Sequence, residues 1–97
     1  MKLLVTEAAA GDVAEAAAWY DDRQPGFGTV FLAAVDVLLE QIVDHPLRYR
    51  IAHASLRRAL IPRFPYVVFY RIEGDRVVLL AVMHGRRDPR TWRQRTT

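Results

Sequence analysis

Apolar residues along this chain change their period once, near Pro46. Before it they recur at three- and four-residue steps; after it they run continuously or alternate. Residues 2–6, Lys-Leu-Leu-Val-Thr, read as a short strand. Thr6 is placed to cap a following helix, with Glu7 in the first turn, where a negative charge is favoured. The alanine-rich stretch from Glu7 to about Arg23 favours helix, with Val13, Ala16, Ala17 and Tyr20 on one face. Pro25-Gly26 breaks it. A second helix is predicted from about Gly28 to Asp44. Phe27, Phe31, Ala34, Leu38 and Ile42, with Val35 and Leu39 beside them, form the wide stripe of a helix packed on a core. The short break between the two predicts an antiparallel helical hairpin.

Beyond Pro46, Leu56 to Phe64 looks extended and mixes arginine with apolar residues. Pro65 separates it from Tyr66–Ile72, rich in β-branched and aromatic residues. Glu73-Gly74-Asp75 signals a turn. Val77 to His84 is apolar at nearly every position, as in a strand covered on both faces. The tail Arg86–Arg95 is basic, with a helical turn expected around Trp92. The predicted fold is α+β, in the order β-α-α-β-β-β. The helical hairpin packs on one face of a small antiparallel sheet.

At 97 residues, 52% of them hydrophobic, the chain suits a single domain spanning residues 1–97. The absence of cysteine excludes disulfides and cysteine–zinc sites. The apolar run at the N-terminus is too short for a signal peptide or a membrane span, so a cytoplasmic location is expected. Charge changes the picture more. Residues 1–47 carry two basic against eight acidic side chains, a net −6; residues 48–97 carry twelve arginines against three acids, a net +9. Such asymmetry calls for an anionic partner, and arginine forks grip carboxylate or phosphate bidentately.

Metal and cofactor motifs are absent, and none is expected. Gly26-Phe27-Gly28 lacks the lysine of a phosphate loop, and His45, His53 and His84 have no ligand spacing. Ser55, the only serine, has no evident base. What remains is a basic and aromatic cluster: Arg57, Arg58, Arg63, Tyr66, Tyr70, His84, Arg86, Arg87 and Trp92. Metal-free RNA cleavage needs a base, an acid and cations at the phosphate. His84 with Arg58, Arg63 and Arg87 are the candidates. The competing reading has His84 ending a buried strand, Tyr66 and Tyr70 filling core, and Trp92 anchoring the tail.

These residues, in order, resemble the RelE/ParE family of bacterial type II toxins. The match runs from Asp12-Val13-Ala14-Glu15-Ala16 and Trp19-Tyr20 through Pro25-Gly26-Phe27-Gly28, Phe31, Pro46 and Tyr49. It continues through Arg57-Arg58, Phe64-Pro65-Tyr66, Tyr70, Ala81-Val82-Met83-His84, Arg87-Asp88-Pro89 and Trp92. The resemblance implies a toxin neutralised by a cognate antitoxin encoded beside it. Acidic antitoxin segments would suit the arginine-rich half, and an amphipathic antitoxin helix would suit the helical hairpin. The implied binding residues are Arg57, Arg58, Arg63, Tyr70, Arg86, Arg87 and Trp92.

Activity in the family divides. RelE-like members cut messenger RNA on the ribosome with several lysines and arginines plus a C-terminal tyrosine; ParE-like members inhibit DNA gyrase and lack that set. Here Arg58 and Arg87 match two basic positions, but Leu60 and Val67 stand where others belong, and the tyrosine has no clear match. A further nuclease subgroup uses a glutamate, an arginine and a histidine. Arg63 and His84 correspond, but no glutamate lies between Glu40 and Glu73. The ParE-like branch is therefore favoured. A ribosome-dependent nuclease and an inert relative that only binds antitoxin are the alternatives.

Overall fold

The computed structural model describes residues 1–96. The elements are β1 (Lys2–Val5), α1 (Glu7–Arg23), α2 (Phe27–Asp44), β2 (Ile51–His53), β3 (Leu56–Leu60), β4 (Tyr66–Glu73), β5 (Arg76–His84) and α3 (Pro89–Thr96). The α+β class and the helical hairpin are as expected from the periodicity. The sheet differs from expectation: it is mixed rather than antiparallel, in the order β1-β5-β4-β3-β2. Strands β2 to β5 form an antiparallel ladder, while β1 joins β5 in parallel. The helical hairpin leaves the chain at the end where β1 finished, and β2, β3 and β4 then run down, up and down, so β5 sets off in the direction of β1. Strand β2 was not anticipated, because three residues ahead of a two-residue turn carry no period. The extended run from Leu56 ends at Leu60 rather than Phe64, because Arg63 turns with φ at 72°.

Thr6 caps α1 as its sequence position implied. Its hydroxyl oxygen accepts from the Ala9 amide at 3.2 Å while its O–H donates to the Leu79 carbonyl at 2.9 Å. The cap therefore also ties the start of α1 to β5, contributing about 1 kcal/mol. At the hairpin corner, Asp21 Oδ1 accepts from the amides of Gly26 and Gly28 at 3.1 and 2.8 Å. A Cβ at position 28 would stand 2.5 Å from the Ala17 carbonyl oxygen, so only glycine lets the helices approach this closely.

The sheet separates two apolar clusters. Under α1 and α2 lie Phe31, Ile42, Val68, Tyr70, Val77 and Leu79, all essentially sealed from solvent. Tyr20 is the hub of an aromatic group there, with ring centroids 5.0 Å from Phe64 and 5.3 Å from Phe31. On the other face Leu56, Val67, Phe69, Ala81 and Met83 are covered by Trp92, which stacks on Phe69 at 4.7 Å. That is why β5 reads as apolar throughout. Its alternation slips once: Phe69 pairs with Ala81 but Tyr70 with Leu79, leaving Leu80 unpaired. This bulge lets Leu79 and Val82 both face the helices. Among the described residues no helix is long and apolar enough to cross a membrane.

Candidate functional site

Two expected binding residues are buried, and a third, the half-buried Arg57, is engaged with backbone. Tyr70 is fully buried, and its hydroxyl donates to the Pro46 carbonyl at 2.7 Å. Burial pushes its pKa up to about 12, against the opposing pull of Arg57. Trp92 is 8% exposed and holds α3 to the sheet. Arg57 lies opposite Tyr70 on β3 and donates to the Tyr49 carbonyl at 2.6 Å, pinning the segment before β2. Tyr70 and Trp92 thus offer a partner almost nothing, a correction to their placement on a binding surface. Cross-strand partners close their side chains against core, which an arginine-rich context obscures in sequence.

Most of the other arginines sort by partner. Arg71 and Arg76 pair with Glu73, Arg90 with Asp88 and Arg95 with Asp12. These pairs hold Glu73 and Asp88 below the usual carboxylate range, each chiefly through the side-chain hydrogen bond of its arginine. Arg23 lies 3.4 Å over the Trp19 ring. Among the described residues no carboxylate pairs with Arg48, Arg50, Arg58, Arg63, Arg86 or Arg87. The backbone gathers them in two groups, Arg50 beside Arg58 towards the β2 edge and Arg63 with Arg86 and Arg87 at one end of the sheet. The Arg58 amide donates to the Arg50 carbonyl at 3.1 Å, and Gly85 donates to Pro65 at 2.8 Å. The second bond sets Arg86 and Arg87 beside the turn that carries Arg63. Leu60, 63% exposed, closes β3 between the two groups. Unpaired arginines so concentrated repel one another, and an acidic partner relieves that repulsion.

His84 and Arg87 meet in a pocket of about 110 Å³ on the helical side, with Asp12, Glu15 and Trp19 of α1, Tyr66 and Arg95. His84 Nδ1 accepts from the Arg86 amide at 3.1 Å, which leaves Nε2 to carry the proton of the neutral ring. Tyr66 meets the imidazole edge-on at 5.5 Å. Asp12 is committed: its carboxylate takes the Val82 amide at 2.9 Å and both arms of Arg95. Arg95 is pushed above its ordinary pKa, chiefly by the hydrogen bond to Asp12. Glu15 supplies from α1 the carboxylate missing between residues 40 and 73. No local spacing in sequence could place it there, since α1 and β5 meet only in the fold. Arg58, by contrast, pairs with Phe69, whose side chain lies on the α3 face. It is therefore on the opposite side of the sheet from His84. The pocket is also smaller than the several hundred Å³ typical of ligand sites.

The fold and this surface are those of a small α+β domain: a helical hairpin on a mixed sheet, with exposed arginines that no carboxylate among the described residues pairs. The chain matches the profile of the ParE toxin of the type II toxin-antitoxin system, parDE, over residues 3–89, and it belongs to that family. Among solved structures it is similar to the chromosomal ParDE TA system from P. aeruginosa. The TM-score is 0.66 at 20% identity, covering 87% of this chain and 95% of the other. At that identity the likeness speaks for the fold. No curated protein matches the chain.

Proposed function

We propose that this chain is the toxin of a type II toxin–antitoxin pair, acting in the cytoplasm and silenced by an antitoxin encoded beside it. Released, it inhibits growth by docking on a protein, DNA gyrase on the family's precedent, and so stabilises a plasmid or locus carrying the pair. The observation that carries the protein-docking reading is the separation of the nuclease candidates. Arg58 and His84 lie on opposite faces of the sheet, while Arg63, Arg86 and Arg87 stand exposed around the turns at one end of it. A phosphodiester cannot contact both faces of one sheet at once, whereas an acidic protein surface can lie along a rim.

Expression without the partner tests this reading. Growth should stop with no new messenger RNA ends at the ribosomal A site, and co-expression of the neighbouring gene should restore it. Normal growth at high levels of folded protein would mark an inert relative. The nuclease alternative is favoured by one observation, the meeting of Glu15, His84 and Arg87 in a single pocket. It requires A-site cuts that vanish in His84→Ala.

A further inference from the structure

The pocket between α1 and the end of β5 holds opposite charges that do not meet. Glu15 enters it from α1. Arg87 enters from the turn beyond β5, where its amide donates to the His84 carbonyl at 2.9 Å. Among the described residues neither side chain has an ion-pair or hydrogen-bond partner. The other charged pair at the site, Asp12 with Arg95, is closed on itself and adds no net charge. An acid and a base held apart over one pocket suit a ligand that donates to the first and accepts from the second. His84 adds a donor beside Arg87, since its neutral ring carries the proton on Nε2.

Trp19 sets the shape of that ligand. Its indole is 47% exposed and lines the pocket about one turn along α1 from Glu15. Arg23, a further turn on, lies 3.4 Å over the ring and donates to the Trp19 carbonyl at 3.3 Å, which holds the indole in place. An exposed, pinned indole is a stacking platform for a planar group. Ala16, Val82 and Met83 floor the pocket with buried apolar surface. A volume of about 110 Å³ excludes a bulky ligand but suits one flat ring system against Trp19.

We infer that this pocket binds a guanine base. Guanine N1–H and N2–H are adjacent donors, matched to the two carboxylate oxygens of Glu15. Its O6 and N7 are adjacent acceptors, matched to Arg87 and His84. Adenine fits neither side: it sets the N1 lone pair against Glu15 and its amino group against Arg87. The ligand is thus a guanine nucleotide, free or as an unpaired base in an RNA strand. The inference stands apart from the toxin reading. It makes Glu15, His84 and Arg87 readers of a base, with no bond made or broken.

The test follows the two tryptophan indole N–H signals of the full chain by NMR as nucleotide is added. GMP should shift the Trp19 signal and leave that of Trp92, which packs in the cluster on the other face of the sheet. AMP should bind about tenfold more weakly. Glu15→Gln and Arg87→Ala should each remove most of that preference, with the fold intact by circular dichroism. An RNA tetranucleotide with one guanine separates the sources. Tighter binding than GMP assigns the site to a strand, and equal or weaker binding assigns it to the free nucleotide. No Trp19 shift at large molar excess of GMP would overturn the inference. So would equal affinity for AMP, displacement of GMP by inorganic phosphate, or an unchanged preference in Glu15→Gln. Growth arrest on expression is scored separately, so failure of the pocket and failure of the toxin reading are distinguishable.

Discussion

Arg95 grips Asp12 across 83 positions of chain, with its Nη1 2.7 Å from Oδ2. The same carboxylate receives the Val82 amide. That amide is available because β1 pairs with β5 only as far as Leu79, leaving the rest of this edge open. One side chain of α1 thus closes an open strand edge and tethers the C-terminal helix. The two jobs have different weights. Arg95→Ala removes a partly solvated ion pair and should cost about 1 kcal/mol or less. Asp12→Ala also orphans a backbone donor and should cost about 1–3 kcal/mol. Urea unfolding of both variants decides this; equal losses would mean that Asp12 matters only through Arg95.

Gly28→Ala should destabilise the chain by about 1–3 kcal/mol, because its Cβ has nowhere to go between Ala17 and Asp21. Gly11→Ala is the control: its Cβ meets nothing, so stability should hold or rise slightly. Thermal melts of the pair suffice, and a harmless Gly28→Ala would contradict the packing described for the hairpin corner.

The buried Tyr70 makes an alkaline prediction. Its pKa is raised on folding to about 12 from an ordinary 10.0, so the folded state holds the proton more tightly. That contribution is fully present below pH 10.0 and is lost as pH rises towards 12. Tyr70→Phe loses the bond to Pro46, about 1 kcal/mol at neutral pH, but flattens the decline in that window. Melting temperature against pH should show the two curves converging. Parallel curves would sink the assignment.

Trp92→Ala should cost about 3 kcal/mol, because it uncovers Phe69 and leaves α3 held by little besides Arg95. Hydrogen exchange should then show the amides of α3 unprotected, with α1 and α2 unchanged. Retained protection of α3 would mean that the stack on Phe69 is not its anchor.

Local signals in the sequence mark the structure where local chemistry decides it. Thr6, Pro25-Gly26 and the stripe through Phe31, Leu38 and Ile42 mark both helices within a residue or so. The continuous apolar run of β5 foretold cover on both faces. What escaped depends on contacts between distant segments. Parallel pairing of β1, the short β2 and the approach of Glu15 to His84 leave no mark in spacing or composition. The arginines were legible as charge but not as roles. Arg57 serves backbone carbonyls and Arg95 a buried-edge carboxylate, while Arg58 and Arg87 stay unpaired. Only the partners, which the fold supplies, separate structural arginines from those left for a docking surface.

The measurement that bears most directly on this account is a DNA gyrase supercoiling assay titrated with the purified, folded chain. The account predicts inhibition that rises with toxin concentration, survives His84→Ala, and is lost when Arg58 and Arg87 are both reversed to glutamate. No inhibition at large molar excess, with the fold intact, would contradict it.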